Sequence, residues 1–219
     1  MRNNKPLHIA LSGIDGAGKS TQLELLQSQY QHQGKSVIYL WTRGGNTPGV
    51  EGLKAFSRKL LGKKLPPSGH SKKRDEMLGR AWVQYAWLVL AMLDLMWIYA
   101  ICVRWWLWQG KVVICDRYLW DTLIDFKIMF PDLSVENWPL WKILVWATPK
   151  PELQCLLMIP LELSEKRCAQ KYEPFPDTPK RRARRYDLYM EVSSLNHWKV
   201  LDSTLPVEAV FENIRSYLS

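Results

Sequence analysis

The sequence predicts an α/β fold, a parallel five-stranded sheet with helices on both faces. Short β-branched and aromatic runs alternate with longer amphipathic stretches, the pattern of strands joined by crossover helices. One of these runs enters a glycine-rich turn that opens directly into a helix. The polar residues with chemical potential fall just past the ends of separate strands, where open parallel sheets bind ligands. A chain of 219 residues suits one domain, 1–219, with a large core.

Leu7 to Ser12 reads as a buried first strand, and Gln22 to Gln33 as the helix beyond the turn. Between them, Gly13-Ile14-Asp15-Gly16-Ala17-Gly18-Lys19-Ser20-Thr21 matches the phosphate-binding pattern G-x-x-x-x-G-K-[ST]. Gly13, Gly16 and Gly18 allow a tight turn that brings backbone N–H groups close to phosphate oxygens. Lys19 reaches the terminal phosphates of ATP as a point charge, the Ser20 hydroxyl suits Mg²⁺, and Ala17 and Thr21 complete the cradle. The positive end of the helix adds to the anion site. Strand, loop and helix in this order predict a P-loop NTPase type of sheet.

Gly34 is a cap for the first helix, and Ser36 to Trp41 is a second strand. A polar turn, Thr42 to Gly49, precedes a helix to about Leu61. A Pro-Gly loop ends near Ser71, where a long helix begins that runs to about Gln109 and stops at Gly110. Lys111 to Cys115 is the third strand, ending on Asp116-Arg117-Tyr118. Residues 119–147 read as helical with breaks at Pro131 and Pro139. Leu153 to Ile159 is the fourth strand and Leu161 to Tyr172 a helix. After Pro174, Pro176 and Pro179 comes an arginine-rich helix, with residues 172–186 as the lid segment. Lys199 to Leu201 is the last strand, and Pro206 opens the final helix at its first position.

The net charge of +9 calls for anionic partners. Much of it lies in 54–74, which also suits a solvated loop, and in 166–185. No nucleic-acid motif is present, so nucleic acid is not the expected partner. Cys102, Cys115, Cys155 and Cys168 are scattered without metal-ligand spacing and read as reduced thiols. With no signal-peptide pattern at the N-terminus, the expected location is cytoplasmic. Ten of the twelve tryptophans fall between residues 82 and 146. From Ala81 to Val103 the only charge is Asp94, over a helix of about 35 Å, long enough for a bilayer core. A crossing would put Lys19 and Asp116 on opposite sides of the membrane. A helix apolar all round is therefore expected to be buried on both sides. Its outer face suits a homodimer through residues 81–108, or peripheral contact with a membrane or apolar substrate, or intrachain core. Asp94 then pairs with Arg80 or Arg104, or points into an acceptor pocket.

On these residues the chain resembles the thymidylate kinase family of P-loop nucleoside monophosphate kinases. The phosphate loop is close to the family's form, which has an acidic residue before the second glycine. Cys115-Asp116-Arg117-Tyr118 is similar to its Asp-Arg-Tyr/His signature, and Thr42-Arg43-Gly44-Gly45 to a shortened acceptor loop. Pro160 to Arg167, and Val200-Leu201-Asp202-Ser203 with Pro206-Val207-Glu208, are similar to its later segments. The resemblance implies ATP and Mg²⁺ as cofactors and nucleotide substrates. It gives Lys19 and the amides of 16–20 to the donor phosphates, and Ser20 and Asp116 to the metal. It gives Asp15 to a sugar hydroxyl of the acceptor, and Arg117 and Arg43, beside Tyr118, to the acceptor phosphate. Ala17 brings no charge into the loop, so cations for the transferring group come from Arg181, Arg182, Arg184 and Arg185.

The sequence departs from the family on the acceptor side. Counting twenty residues back from Asp116, where the family has a base-reading arginine, lands on Met96. The Glu-Pro of the acceptor loop is absent, and the family's serine three residues after the tyrosine has at best Thr122 in its place. Thymidylate is the default acceptor. A sugar or lipid-linked acceptor at the membrane is the alternative, with Asp15, Asp121 or Asp125 as the base a hydroxyl would need.

Overall fold

The computed structural model describes residues 5–42, 81–170, 177–195 and 198–218. Strands β1 (Leu7–Gly13), β2 (Val37–Trp41), β3 (Val112–Asp116), β4 (Leu153–Met158) and β5 (Lys199–Asp202) form one sheet in the order β2-β3-β1-β4-β5. Every pairing is parallel, with Ala10 beside Cys115 on one side and Gln154 on the other. The described helices are α1 (Lys19–His32), α2 (Ala81–Trp108), α3 (Leu119–Met129), α4 (Pro139–Ala147), α5 (Leu161–Gln170), α6 (Pro179–Leu195) and α7 (Val207–Ser216). The expected strands and helices are found at or within a few residues of their predicted ends. Pro139 opens α4 as its first residue, whereas Pro206 sits one position outside α7, as its cap. The helix expected up to Leu61 and the start of the long helix near Ser71 lie outside the described residues.

Alternation along the strands sends side chains to two cores. Ile9, Leu11, Val112 and Ile114 meet Leu23 and Leu26 of α1, Leu188 and Val192 of α6, and Ile214 of α7. Ala10, Val113 and Cys115 meet Leu88, Leu95 and Tyr99 of α2, Leu123 and Phe126 of α3, and Trp141 and Leu144 of α4. The helix after β1 thus covers one face and the helix after β3 the other. Chains that part to opposite faces leave a crevice at the carboxyl ends of those two strands, and the phosphate loop and the Asp116-Arg117 turn both border it.

Helix α2 packs one face on the sheet and leaves the other exposed, so intrachain core does not cover its outer face. Leu88, Met92, Leu95, Tyr99 and Val103 are buried, while Trp82, Tyr85, Leu93, Trp97, Ile101, Trp105 and Trp108 are exposed. Its middle, Met96–Val103, is π-helical, a wider turn than the α-helix on either side. Arg104 donates to the last carbonyl of α4, Ala147 O, at 2.7 Å, a favourable place for a cation. Asp94 is half-buried on α2 and has an interaction partner.

Gly13 shows how tightly the sheet is built under the site. It has φ +147°, and a Cβ there would run into the carbonyl oxygen of Leu157 on β4. Because that obstacle is backbone in the middle of a sheet, it cannot move aside. Gly13→Ala is expected to lower folding stability by more than about 2 kcal/mol, read from the midpoint of urea unfolding.

Candidate active site

The phosphate loop is tied down from outside by its carbonyls. Lys19 Nζ donates to Gly13 O and Ile14 O, each at 2.9 Å. Ser164 Oγ donates to Asp15 O at 2.6 Å, Arg167 Nη1 to Gly16 O at 3.1 Å, and Ser203 Oγ to Ala17 O at 2.8 Å. In a trans peptide the N–H points opposite to the C=O. Carbonyls drawn toward α5 and the end of β5 therefore turn the amides of Gly16 and Gly18 toward the inside of the loop, the form of an anion nest, while the Ala17 amide donates to Ile14 O at 3.2 Å. Gly16 and Gly18 have φ +80° and +84°, and a Cβ on Gly16 would press on Ser164 O and Arg167. Ser20, in the first turn of α1, is exposed. Sequence reasoning gave no role to Ser164, Arg167 or Ser203. They sit far along the chain, and no local pattern marks a residue that reaches back to a loop carbonyl.

At the end of β3, Asp116 accepts the Tyr39 hydroxyl on Oδ2 at 3.1 Å. Its Oδ1 is buried without a hydrogen-bond partner among the described residues. Arg117 has φ +70°, a left-handed backbone that side chains rarely adopt. Its amide donates to Leu11 O at 2.9 Å, and Thr42 Oγ1 donates to its carbonyl at 3.3 Å. This turn swings the guanidinium across β1 to the phosphate loop, where Nη2 donates to Asp15 Oδ1 at 2.7 Å. Nη1 donates to the Tyr189 hydroxyl at 2.9 Å, and that hydroxyl donates to Asp121 Oδ1 at 2.5 Å. Asp121 Oδ2 accepts Ser12 Oγ at 2.6 Å and the Tyr118 amide at 2.8 Å. Burial pushes the Asp121 carboxyl above its ordinary range, opposed by Arg117 and by these hydrogen bonds. Burial also acts to lower the Arg117 pKa, but Tyr189, Asp15 and Asp121 outweigh it and the group stays firmly charged.

Of the arginines expected to form the lid, Arg185 is buried between two carboxylates. Nε donates to Asp177 Oδ2 at 2.7 Å and Nη1 to Asp125 Oδ1 at 2.6 Å. Arg182 is also buried and donates to Asp177 O. Arg184 is exposed and Arg181 is intermediate, with a partner of its own. The structure therefore gives Arg185 a structural task, locking α6 to α3. Asp121 and Asp125, considered above as bases, are likewise committed to cations and donors. The guanidinium of Arg117 is buried as well, shared between Asp15 and Tyr189.

A thymidylate kinase of Neisseria meningitidis serogroup B is 31% identical over 173 residues, covering 77% of this chain and 72% of that protein. One from Pseudomonas entomophila is 30% identical over 165 residues, covering 75% and 70%. The chain belongs to the thymidylate kinase family. A Bifidobacterium longum thymidylate kinase extends the match to 96% of both chains at 28% identity. No family model matches the chain. Within this family member, Lys19, Asp15, Asp116 and Arg117 gather at the β1–β3 crevice, and Tyr118 points away from it, its hydroxyl donating to Pro149 O at 3.0 Å. Arg43 and residues 172–176 lie outside the described residues.

The donor set fits Mg²⁺, a hard cation that prefers oxygen. An unsatisfied buried oxygen on Asp116 and the Ser20 hydroxyl are the groups that would hold it, beside the donor phosphates. Lys19 is held well below its ordinary pKa of 10.5, at about 8, by burial first and Arg117 second, against Asp15, Asp116 and Asp121. Between about 8 and 10.5 the unfolded chain therefore binds more protons at this residue than the folded one, so folding gains stability as pH rises through that window. Below it the full penalty is present. Thermal unfolding without nucleotide is expected to show wild type gaining on Lys19→Met as pH rises from 8 to 10.5.

Proposed function

We propose that this protein is an ATP-dependent nucleoside monophosphate kinase that moves the γ-phosphoryl group of ATP to dTMP. The observation that carries the reading is the phosphate loop, its carbonyls held by Ser164 and Ser203, joined through Asp15 to an arginine delivered from the end of β3. The names of its relatives support the same acceptor. A phosphate oxygen of the acceptor attacks the γ phosphorus, the bond to the β–γ bridging oxygen breaks, and ADP leaves. Such transfers rest on positioning and charge stabilisation. Lys19 would leave the loop carbonyls for the donor phosphates, while Arg117 holds the acceptor phosphate against them. Mg²⁺ held by Ser20 and Asp116 would neutralise charge on the donor phosphates. A monophosphate is already ionised at neutral pH and needs no base, which suits a site whose Asp121 and Asp125 are occupied by hydrogen bonds and an ion pair. A sugar hydroxyl would need a carboxylate that this arrangement does not offer readily. For Arg185 to act as a lid cation it would first have to leave Asp125 and Asp177, so Arg181 and Arg184 are better placed for that task. The cytoplasm is the proposed location, in keeping with buried reduced thiols such as Cys115 and Cys155.

Steady-state assays with ATP and a panel of nucleoside monophosphates are expected to show saturable turnover with dTMP as the preferred acceptor. Lys19→Ala is expected to lower kcat/KM at least ~10³-fold, the scale on which cations act in phosphoryl transfer. No turnover of any monophosphate would dismiss this function.

We read the exposed face of α2, extended by Ile143 and Trp146 of the adjoining α4, as a homodimer interface. Its aromatic content and scarcity of charge, with Arg104 tied to Ala147 O, support this, and contact with a membrane is the other use of such a face. At micromolar concentration without detergent, sedimentation is expected to give a dimer that Trp97→Glu converts to monomer. A wild-type monomer that floats with anionic liposomes would assign the face to the membrane instead.

A further inference from the structure

Asp121 is closed off from any acceptor. It is 1% exposed in the first turn of α3, with Ser12 and the Tyr118 amide on one oxygen and the Tyr189 hydroxyl on the other. Its distance to Arg117 Nη1 is 3.9 Å, too long for a hydrogen bond. Its hydrogen-bonded route to that arginine runs through Tyr189, beside the direct attraction of the two charges. A phenol has one proton to give. Asp121 takes that proton, so the oxygen of Tyr189 is left facing Arg117 as an acceptor for Nη1. The direction of the whole chain, from Arg117 through Tyr189 to Asp121, is therefore set by the carboxylate at its end. Ser12 and the Tyr118 amide hold that carboxylate from β1 and from the start of α3. The guanidinium is thereby held at two corners, by Asp15 of the phosphate loop and by Tyr189 of α6.

Tyr189 belongs to the same helix as Arg185, whose ion pair with Asp125 lies one turn further along α3 from Asp121. The orientation of Arg117 and the docking of α6 on α3 are thus parts of one buried polar layer. We propose that Asp121 and Tyr189 are positioning residues that aim Arg117 at the acceptor's phosphate, and that this aim depends on α6 being packed against α3. The inference rests on the reading above in which Arg117 meets that phosphate.

The test is steady-state kinetics of the full chain with ATP and dTMP for wild type, Tyr189→Phe, Asp121→Asn, the double variant and Arg117→Lys. Tyr189→Phe and Asp121→Asn are each expected to raise the KM for dTMP about tenfold, the size of one charge-assisted hydrogen bond. The KM for ATP should stay within about twofold, because the loop amides and Lys19 do not depend on the relay. The double variant should be no worse than either single one, since both break the same chain. A residue that only stabilised the fold would reduce the active fraction and leave the KM for dTMP alone. If Asp121→Asn does not fold, Tyr189→Phe carries the test, since it keeps the ring and loses one hydroxyl. An unchanged KM for dTMP in Tyr189→Phe, with Arg117→Lys raising it, would overturn this inference and leave the proposed function standing. An unchanged KM in Arg117→Lys, or no dTMP turnover by wild type, would remove both.

Discussion

Arg117 and the carboxylates around it make one another's burial possible. A guanidinium or carboxylate taken out of water alone is strongly unfavourable, and only close pairing with complete hydrogen bonding offsets that. Here Asp15 comes from the phosphate loop, Arg117 from the end of β3, Asp121 from α3 and Tyr189 from α6. None of these segments can shift without exposing a charge to an apolar core. The same network accounts for the left-handed backbone at Arg117, since an extended turn would carry the side chain away from β1. The ion pairs of Arg185 with Asp125 and Asp177 repeat the scheme further along α6. Together they set the geometry of the crevice in which the kinase chemistry would occur.

The phosphate loop follows a complementary rule. Its carbonyls are pulled outward by donors from α5 and the end of β5, and by Lys19 itself. A loop held this way does not have to reorganise when an anion arrives, which is the condition for electrostatic stabilisation without a reorganisation penalty. Lys19 is the adjustable part. Its depressed pKa records how poorly a buried ammonium is served by two carbonyls. Donor phosphates would satisfy it far better.

The two faces of α2 separate folding from association. Its inner residues fill the core beneath β1 and β3, and Thr42 is bonded to the Tyr99 hydroxyl at 2.7 Å just past the end of β2. Of its outer residues Tyr85 stacks on Trp138 at the edge of that core, while Trp82, Leu93, Trp97, Ile101, Trp105 and Trp108 are exposed. An apolar helix of this composition meets the length criterion for a membrane span, yet its inner face is committed to the sheet. That packing, and the common location of Lys19 and Asp116 at one end of the sheet, weigh against a span.

The order of strands and helices was legible in the sequence because it follows from local pattern: alternation for strands, amphipathic spacing for helices, glycine where the backbone must turn. The phosphate loop was legible for the same reason, since its residues are contiguous and each has a local task. Asp116 and Arg117 stood out because they end a buried strand. The partners of those residues were hidden. Ser164, Ser203 and Tyr189 reach the site from remote positions, and nothing around Asp121, four residues past Arg117, signals whether its carboxylate will meet solvent, a substrate or a guanidinium. Burial and distance decide that, and they arise only when the helices close on the sheet. The chain alone thus determined where phosphate is gripped, while the folded structure decided which charges are available to act and which are bound to one another.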